Sequence, residues 1–357
     1  MLVYIIAYSL IGVSAAVFSQ IGMGKARAKF SFCLFSFLVL SIVLGLRHPS
    51  MGNDLKYYQG GGYLEAFEKI SAKSWEEVFA LESYLNYEKG YILFNKLVGS
   101  IWADQQFFLF VCAAVSILPV IYVAYKKSED SFFSVVIFIG LPSFLMLYSG
   151  LRQAIAIGLC FLSILFIQEK KPIKFILTVL LAYTFHDSSF IFLLAYPLYH
   201  IRLNDLMRKI SVGIIPIVYL FRVPLFTVFS KFFKDEATIT DGETAVTLFL
   251  VFTLVYIFCI IFQNKESKDQ NGLLNLFLVA CCCQAFGSVY ELAMRVTYYF
   301  MMSLILLLPS VMKEAKLEKR ENYLVTFGIM GAFILFGLFS IYDSSWAMAY
   351  PYYWFWE

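Results

Sequence analysis

Residues 174–199 read KFILTVLLAYTFHDSSFIFLLAYPLY, and the way this stretch is cut decides the topology of the chain. Two apolar runs flank a polar centre of His186, Asp187, Ser188 and Ser189. As one piece it is a long span with a polar middle; as two, it is a pair of short spans meeting at His186. Short connections rich in Lys and Arg belong on the cytoplasmic side of a membrane protein. The connections 24–29, 126–130, 168–174, 200–209, 263–270 and 313–322 carry 17 of the 28 Lys and Arg in 46 residues. Two spans around His186 bring all six connections to one face. A single span would put the last three on the opposite face, so the charge pattern selects the split.

The rest of the chain follows from lipid as solvent. With 61% hydrophobic and 15% charged residues, it is too apolar for polar surface to cover a water-soluble fold of this length. In lipid each span must satisfy its own backbone hydrogen bonds, which calls for helices of about 17–25 residues. Segments 2–22, 29–46, 106–125, 131–149, 151–168, 209–229, 245–262, 271–287, 293–312 and 322–341 meet or approach that length. With the short pair around His186 the expectation is an all-α polytopic protein of about twelve transmembrane helices. It forms one transmembrane domain over 1–357, with both termini outside.

Residues 47–105 are then a large outer loop whose apolar stretch 90–103, too short to span, is expected to be a re-entrant or interfacial helix. Residues 230–244 form a second, acidic outer loop. The tail places Trp346, Tyr350, Tyr352, Tyr353, Trp354 and Trp356 at the outer interface, where amphipathic rings are favoured. The seven cysteines lie in apolar stretches without disulfide or zinc spacing. A net charge of +3 gives no reason to expect a nucleic-acid partner.

On this topology the outer side collects Arg47, Asp54, Glu88, Arg152, His186, Asp187, Glu291 and Arg295. A charge near the bilayer costs at least about 2–3 kcal/mol, so such groups pair, line an aqueous cavity, or snorkel to the headgroups. In SGLRQAIAIG (149–158), Arg152 and Gln153 open a helix whose Ala154, Ala156 and Gly158 admit a close neighbour. A guanidinium at a helix N-terminus suits a phosphate. His186 sits between two short segments, at the floor of an expected outer recess, as a candidate base or phosphate contact. Asp187 either orients its ring or caps the following helix. In ELAMRVTYYF (291–300), Arg295 shares a helix face with Tyr298 and Tyr299, a pairing that fits a sugar, a phosphate or an interface anchor. GLRHPSMGNDLKYY (45–58) is loop-like, presenting Asp54 with Tyr58 close behind, and Glu88 precedes the re-entrant stretch.

Taken in order, GLRHPSMGNDLKYY, NYEKGYILFNKL, SGLRQAIAIG, FHDSSFIFLLAYPL and MRVTYYF resemble the EpsG/Wzy-type polysaccharide polymerases over nearly the whole chain. The resemblance implies a GT-C-like glycosyltransferase of the bacterial cytoplasmic membrane with its active site facing the periplasm or the outside. Such an enzyme moves a growing glycan from undecaprenyl diphosphate to a lipid-linked repeat unit, with inversion and without cofactor or metal. Its partners would be undecaprenyl-diphosphate-linked glycans and membrane lipids, with a chain-length regulator and a flippase as candidate protein partners. The chain offers no Gly-rich nucleotide loop, DxD-like pair or metal-ligand cluster in sequence.

Displacing a lipid diphosphate from an anomeric carbon develops negative charge, which fixed arginines stabilise. Arg152 and Arg295 are the first candidates and Arg47 the next. His186, Glu88 and Asp54 are candidates for the base that activates the attacking hydroxyl. Position favours His186 or Glu88 without separating them. A flippase or transporter of the same lipid-linked sugars, and a transferase of the O-antigen-ligase kind, are the alternatives.

Overall fold

In lipid the chain can bury its backbone polar groups only as helix, and the structure, a computed structural model, follows suit. It describes all residues except 23, 57–61, 81–85, 231–242 and 291. Among the described residues there is no strand, only an isolated antiparallel bridge between Arg47 and Trp354. Among the described residues five helices are long and apolar enough to cross a membrane: Leu2–Gln20, Lys25–Gly45, Gln105–Lys127, Leu151–Gln168 and Lys319–Asp343. Two bent pairs, Asp205–Leu220 with Arg222–Val228 and Ala293–Met301 with Leu304–Glu314, raise the count to seven if each is one span. Ser131–Gly140, Pro172–Tyr183 and Val246–Phe262 are apolar but shorter.

The differences from the expected segments have local causes. Segment 131–149 stops being α-helical after Gly140, where Pro142 opens a 3₁₀ turn over Pro142–Leu147; proline lacks the N–H that would continue the helix. Segment 271–287 overlaps the Lys268–Ala285 helix, whose first turns carry Lys268, Asp269, Gln270, Asn271 and Asn275. These polar groups are used inside the protein: Asn275 donates to the carbonyls of Leu198 and Ile201, and Gln270 to that of Ser310. The stretch 174–199 breaks where the charge pattern puts the break. The Pro172–Tyr183 helix tightens as Phe185 and His186 both donate to the carbonyl of Ala182. A 3₁₀ segment, Asp187–Leu194, and a short helix, Ala195–His200, follow. The second half is thus not one continuous α-helix.

The chain divides into two compact units: Met1–Phe190 with Val325–Glu357, and Ile191–Leu324. In the first, the Leu151–Gln168 helix is largely buried while Leu2–Gln20 and Lys319–Asp343 expose apolar side chains outward, as lipid-facing helices do. Gly158 lets it lie against the Ser116 carbonyl on Gln105–Lys127, 2.8 Å from where a Cβ would stand. This is the close approach expected of the small residues there. The Lys89–Ile101 helix packs into a core containing Tyr63, Phe67, Tyr91, Ile92 and Phe108. Phe67 and Phe108 stack with centroids 4.2 Å apart.

The tail is tied down. His48 N donates to the Tyr353 carbonyl, Phe355 N to that of Leu46, and Tyr352 Oη to that of Val43 at 2.8 Å. In the second unit, Asp205–Leu220, Glu243–Phe262 and Lys268–Ala285 pack together, with Tyr256 donating to Ser211 Oγ at 2.7 Å. The 230–244 loop lies almost wholly outside the described residues.

Candidate active site

Glu88 is the hub of the first unit's polar groups. It stands just before the Lys89–Ile101 helix, where a carboxylate ordinarily caps its own helix, but makes no such cap. Its oxygens reach across the fold instead. Oε2 lies 2.5 Å from Arg152 Nη1, while Oε1 lies 3.1 Å from His186 Nδ1 and accepts the Asp187 N–H at 3.1 Å. Three segments far apart in sequence thus meet at one carboxylate.

Each segment is held by a local device. Gly90 lets the start of the Lys89–Ile101 helix lie on the 184–187 turn: a Cβ there would strike the Thr184 side chain and carbonyl. Tyr91 N donates to that carbonyl at 3.2 Å. Asn86 takes a left-handed conformation, φ 58°, which Asn tolerates better than most residues, and its carbonyl accepts from Arg152 Nη1 at 3.3 Å. Arg152 Nε donates to Tyr63 Oη at 3.3 Å, and the guanidinium lies over the rings of Tyr87 (4.6 Å) and Tyr63 (5.8 Å). Cation–π contact of this kind is worth about 2 kcal/mol when desolvated. The break of the 174–199 stretch is explained here too, since the Asp187 amide leaves the helix to bond Glu88.

The electrostatics follow from the pairing. Burial alone would raise the Glu88 carboxyl, but the His186 hydrogen bond and the Arg152 charge outweigh it and leave Glu88 below its ordinary value, ionised at neutral pH. The exposed Asp187 carboxylate is likewise lowered, chiefly by its contact with His186 Nδ1 at 3.3 Å. With two carboxylates facing Nδ1, that nitrogen carries the proton and donates, as the network dictates. Nε2 has no partner among the described residues.

Glu88, His186 and Asp187 offer ligand atoms within 4.8 Å of one another, a set with metal-ligand chemistry. A dication there would sit beside a guanidinium that already neutralises Glu88, and would have to displace the Nδ1 proton. Coulomb repulsion between a dication and the guanidinium opposes a metal at such distances.

The other expected site residues are dispersed. The Asp54 N–H bonds Ser149 Oγ at 3.1 Å, and Gly52, at φ +113°, presses against the Tyr148 carbonyl, so this loop is anchored close to Arg152. Gln153 is buried in the same turn as Arg152. Arg47 is corrected from ligand contact to internal tie: it is 0% exposed, bonds the carbonyls of Leu44, Met51 (3.3 Å) and Tyr148 (3.2 Å), and stacks on the Tyr148 ring at 5.2 Å. Sealed from solvent in this way, it meets the chain rather than a substrate. Arg295, Tyr298 and Tyr299 belong to the second unit, with Arg295 exposed and both tyrosines buried on the Leu292–Met301 helix. Tyr58 and Glu291 lie outside the described residues. The reading from sequence missed Asn86, Tyr63 and Tyr87. Asn86 and Tyr87 had a signal, since both precede Glu88 in NYEKGY, whereas Tyr63 had none.

No curated protein and no solved structure matches the chain. A family model described as the EpsG family matches residues 30–354, which takes in every segment that builds the site. The chain therefore belongs to the EpsG family.

Proposed function

We propose that this protein is a polysaccharide polymerase of the bacterial cytoplasmic membrane. In this reading it transfers a growing glycan from undecaprenyl diphosphate to the terminal sugar of a lipid-linked repeat unit, at the outer leaflet. The observation that carries the reading is the Glu88 carboxylate joining His186 and Arg152 in an otherwise apolar, family-assigned membrane protein.

His186 acts as the base through Nε2, the nitrogen not engaged with a carboxylate, and Glu88 fixes the tautomer from the Nδ1 side. The acceptor hydroxyl gives its proton to Nε2 as its oxygen bonds the anomeric carbon. The bond from that carbon to the diphosphate breaks, and the electron pair leaves with the lipid diphosphate. One such displacement inverts the anomeric centre. Glu88 and Asp187 stabilise the imidazolium that forms, in the manner of a carboxylate–histidine pair. Arg152, whose charge Glu88 balances, keeps Glu88 ionised and in place, and Gln153 and Asp54 line the same region. In the second unit, Arg295, on the same helix as Tyr298 and Tyr299, is proposed by itself as a phosphate- or sugar-binding group. The twelve-span, GT-C-like topology belongs to the same proposal and is supported by the one-sided Lys and Arg connections.

A deletion strain tests the function. Its glycan, run on a gel, is expected to collapse from a ladder to single repeat units that are still exported. Loss of all exported repeats would point to a flippase instead.

A further inference from the structure

In the second unit the Asp205–Leu220 helix bends by 76° into the helix that begins at Arg222. Arg222 stands at this elbow, half-buried, and its orientation is fixed from three directions. Nε donates to Ser288 Oγ at 3.1 Å, Nη1 donates to the Tyr219 carbonyl at 2.8 Å, and the guanidinium lies 4.1 Å from the Tyr219 ring centroid. Tyr219 in turn stacks on Phe249, centroids 4.5 Å apart and planes within 15°. The arginine therefore lies on an aromatic pile that cannot follow it if it swings away.

Among the described residues the charge has no counter-ion. Among the described residues no carboxylate pairs with Arg222, and its Nη2 has no partner. The contrast is Arg208 on the Asp205–Leu220 helix, which bonds Asp205 and Asn271. A half-buried guanidinium held rigid without an anion leaves the cost of its charge uncompensated, and side chains of this kind in membrane proteins pair or serve a ligand. Clamping Nε and one Nη directs the remaining edge, with its two N–H groups, at a single place. That planar edge matches the oxygens of a phosphate. On the Lys and Arg pattern, residue 204 is on the cytoplasmic side and the elbow on the outer side, where phosphates of lipids are the abundant anions.

We propose that Arg222, with Ser288 as its support, binds the phosphate of a lipid on the outer side of the second unit. Which lipid rests on the polymerase reading: there it is the polyprenyl diphosphate, held in addition to whatever Arg295 contributes. Otherwise it is an ordinary phospholipid headgroup.

The test is binding, not turnover. Full-length protein in nanodiscs of a zwitterionic lipid is titrated with undecaprenyl diphosphate, and separately with phosphatidylglycerol, with bound lipid counted by native mass spectrometry. Arg222→Ala is expected to weaken binding of at least one of the two about tenfold or more. Arg222→Lys and Ser288→Ala, which disturb folding less, should weaken the same ligand by smaller factors. Selective loss of the diphosphate identifies the substrate lipid, and equal loss of both identifies a headgroup site. Wild-type affinity for both lipids in Arg222→Ala, or no binding of either by the wild type, overturns the inference. Because the read-out is lipid bound, it stands or falls separately from the glycan ladder that tests the polymerase.

Discussion

Replacing Glu88 with Gln removes one charge and almost no volume, which makes it the sharpest perturbation of the site. Two consequences follow from the geometry. Arg152, with 9% of its side chain exposed, keeps its Tyr63 and Asn86 contacts but loses its anion, 2.5 Å away. Removing one partner of a buried pair costs about 3–5 kcal/mol; since Glu88 is 17% exposed and Gln retains an acceptor oxygen, about 2–3 kcal/mol is expected here. For a unit of this size that is a fall in Tm of about 4–12 °C. Arg152→Ala on top of Glu88→Gln should cost much less than the sum of the two singles, because they break the same contact. The second consequence is chemical. Without the carboxylate on Nδ1 the imidazolium loses its main stabiliser, and the rate should fall by about 10²–10⁴, the usual contribution of a general base. KM for the lipid-linked repeat should change far less. The assays are thermal unfolding in detergent and polymerisation of a lipid-linked repeat by purified protein. A Glu88→Gln protein that polymerises at the wild-type rate, or additive losses in the double mutant, would refute the reasoning.

Acid should act on the wild type in the same sense. The Glu88 carboxyl is lowered from 4.5 in the folded protein, so its contribution to stability is complete above about that pH and is lost as pH falls through the folded value. Glu88→Gln should show a weaker acid dependence in Tm, and equal curves would count against the pairing. Gly90→Ala should push the Lys89–Ile101 helix off the 184–187 turn, costing about 1–3 kcal/mol and most of the activity. Thr184→Ala should restore only part of it, since the Thr184 carbonyl is also in the way; circular dichroism melts and the gel ladder report both. Arg47→Ala strips the donors from three buried carbonyls and should lower stability by at least about 3 kcal/mol, read as reduced membrane abundance, with no selective effect on KM. Prolonged EDTA treatment should leave the polymerisation rate unchanged, and a loss restored by a divalent cation would reassign Glu88, His186 and Asp187 as metal ligands.

How much of this was legible from sequence depended on how directly each feature is written in charge or chain chemistry. The break at His186 was readable because six Lys- and Arg-rich connections agree on only one topology. That the segment after it is 3₁₀ rather than α depends on the Glu88 carboxylate capturing the Asp187 amide, a contact across 99 residues that no local pattern encodes. Pro142 could have been read as the end of the Ser131–Gly140 helix, since proline stops a helix by itself. Arg152 was singled out because an outward arginine in an apolar helix needs a reason, but whether that reason was phosphate or carboxylate depended on what lay opposite. Arg47 looked like a loop cation and proved to be sealed, because the tail from residue 349 onward folds back over its loop. Tyr63 was invisible among 24 tyrosines, most of which suit interfaces or core equally well. Arg222 lies inside the apolar segment 209–229, and its surroundings come from the 76° elbow, which no local pattern encodes.

The measurement closest to the central claim is the product distribution of purified protein given a lipid-linked repeat unit. The wild type should yield a ladder of polymers. His186→Ala, purified in equal amount and with an unchanged melting curve, should yield single repeats only, and a full ladder from that variant would contradict the assignment of His186 as the base.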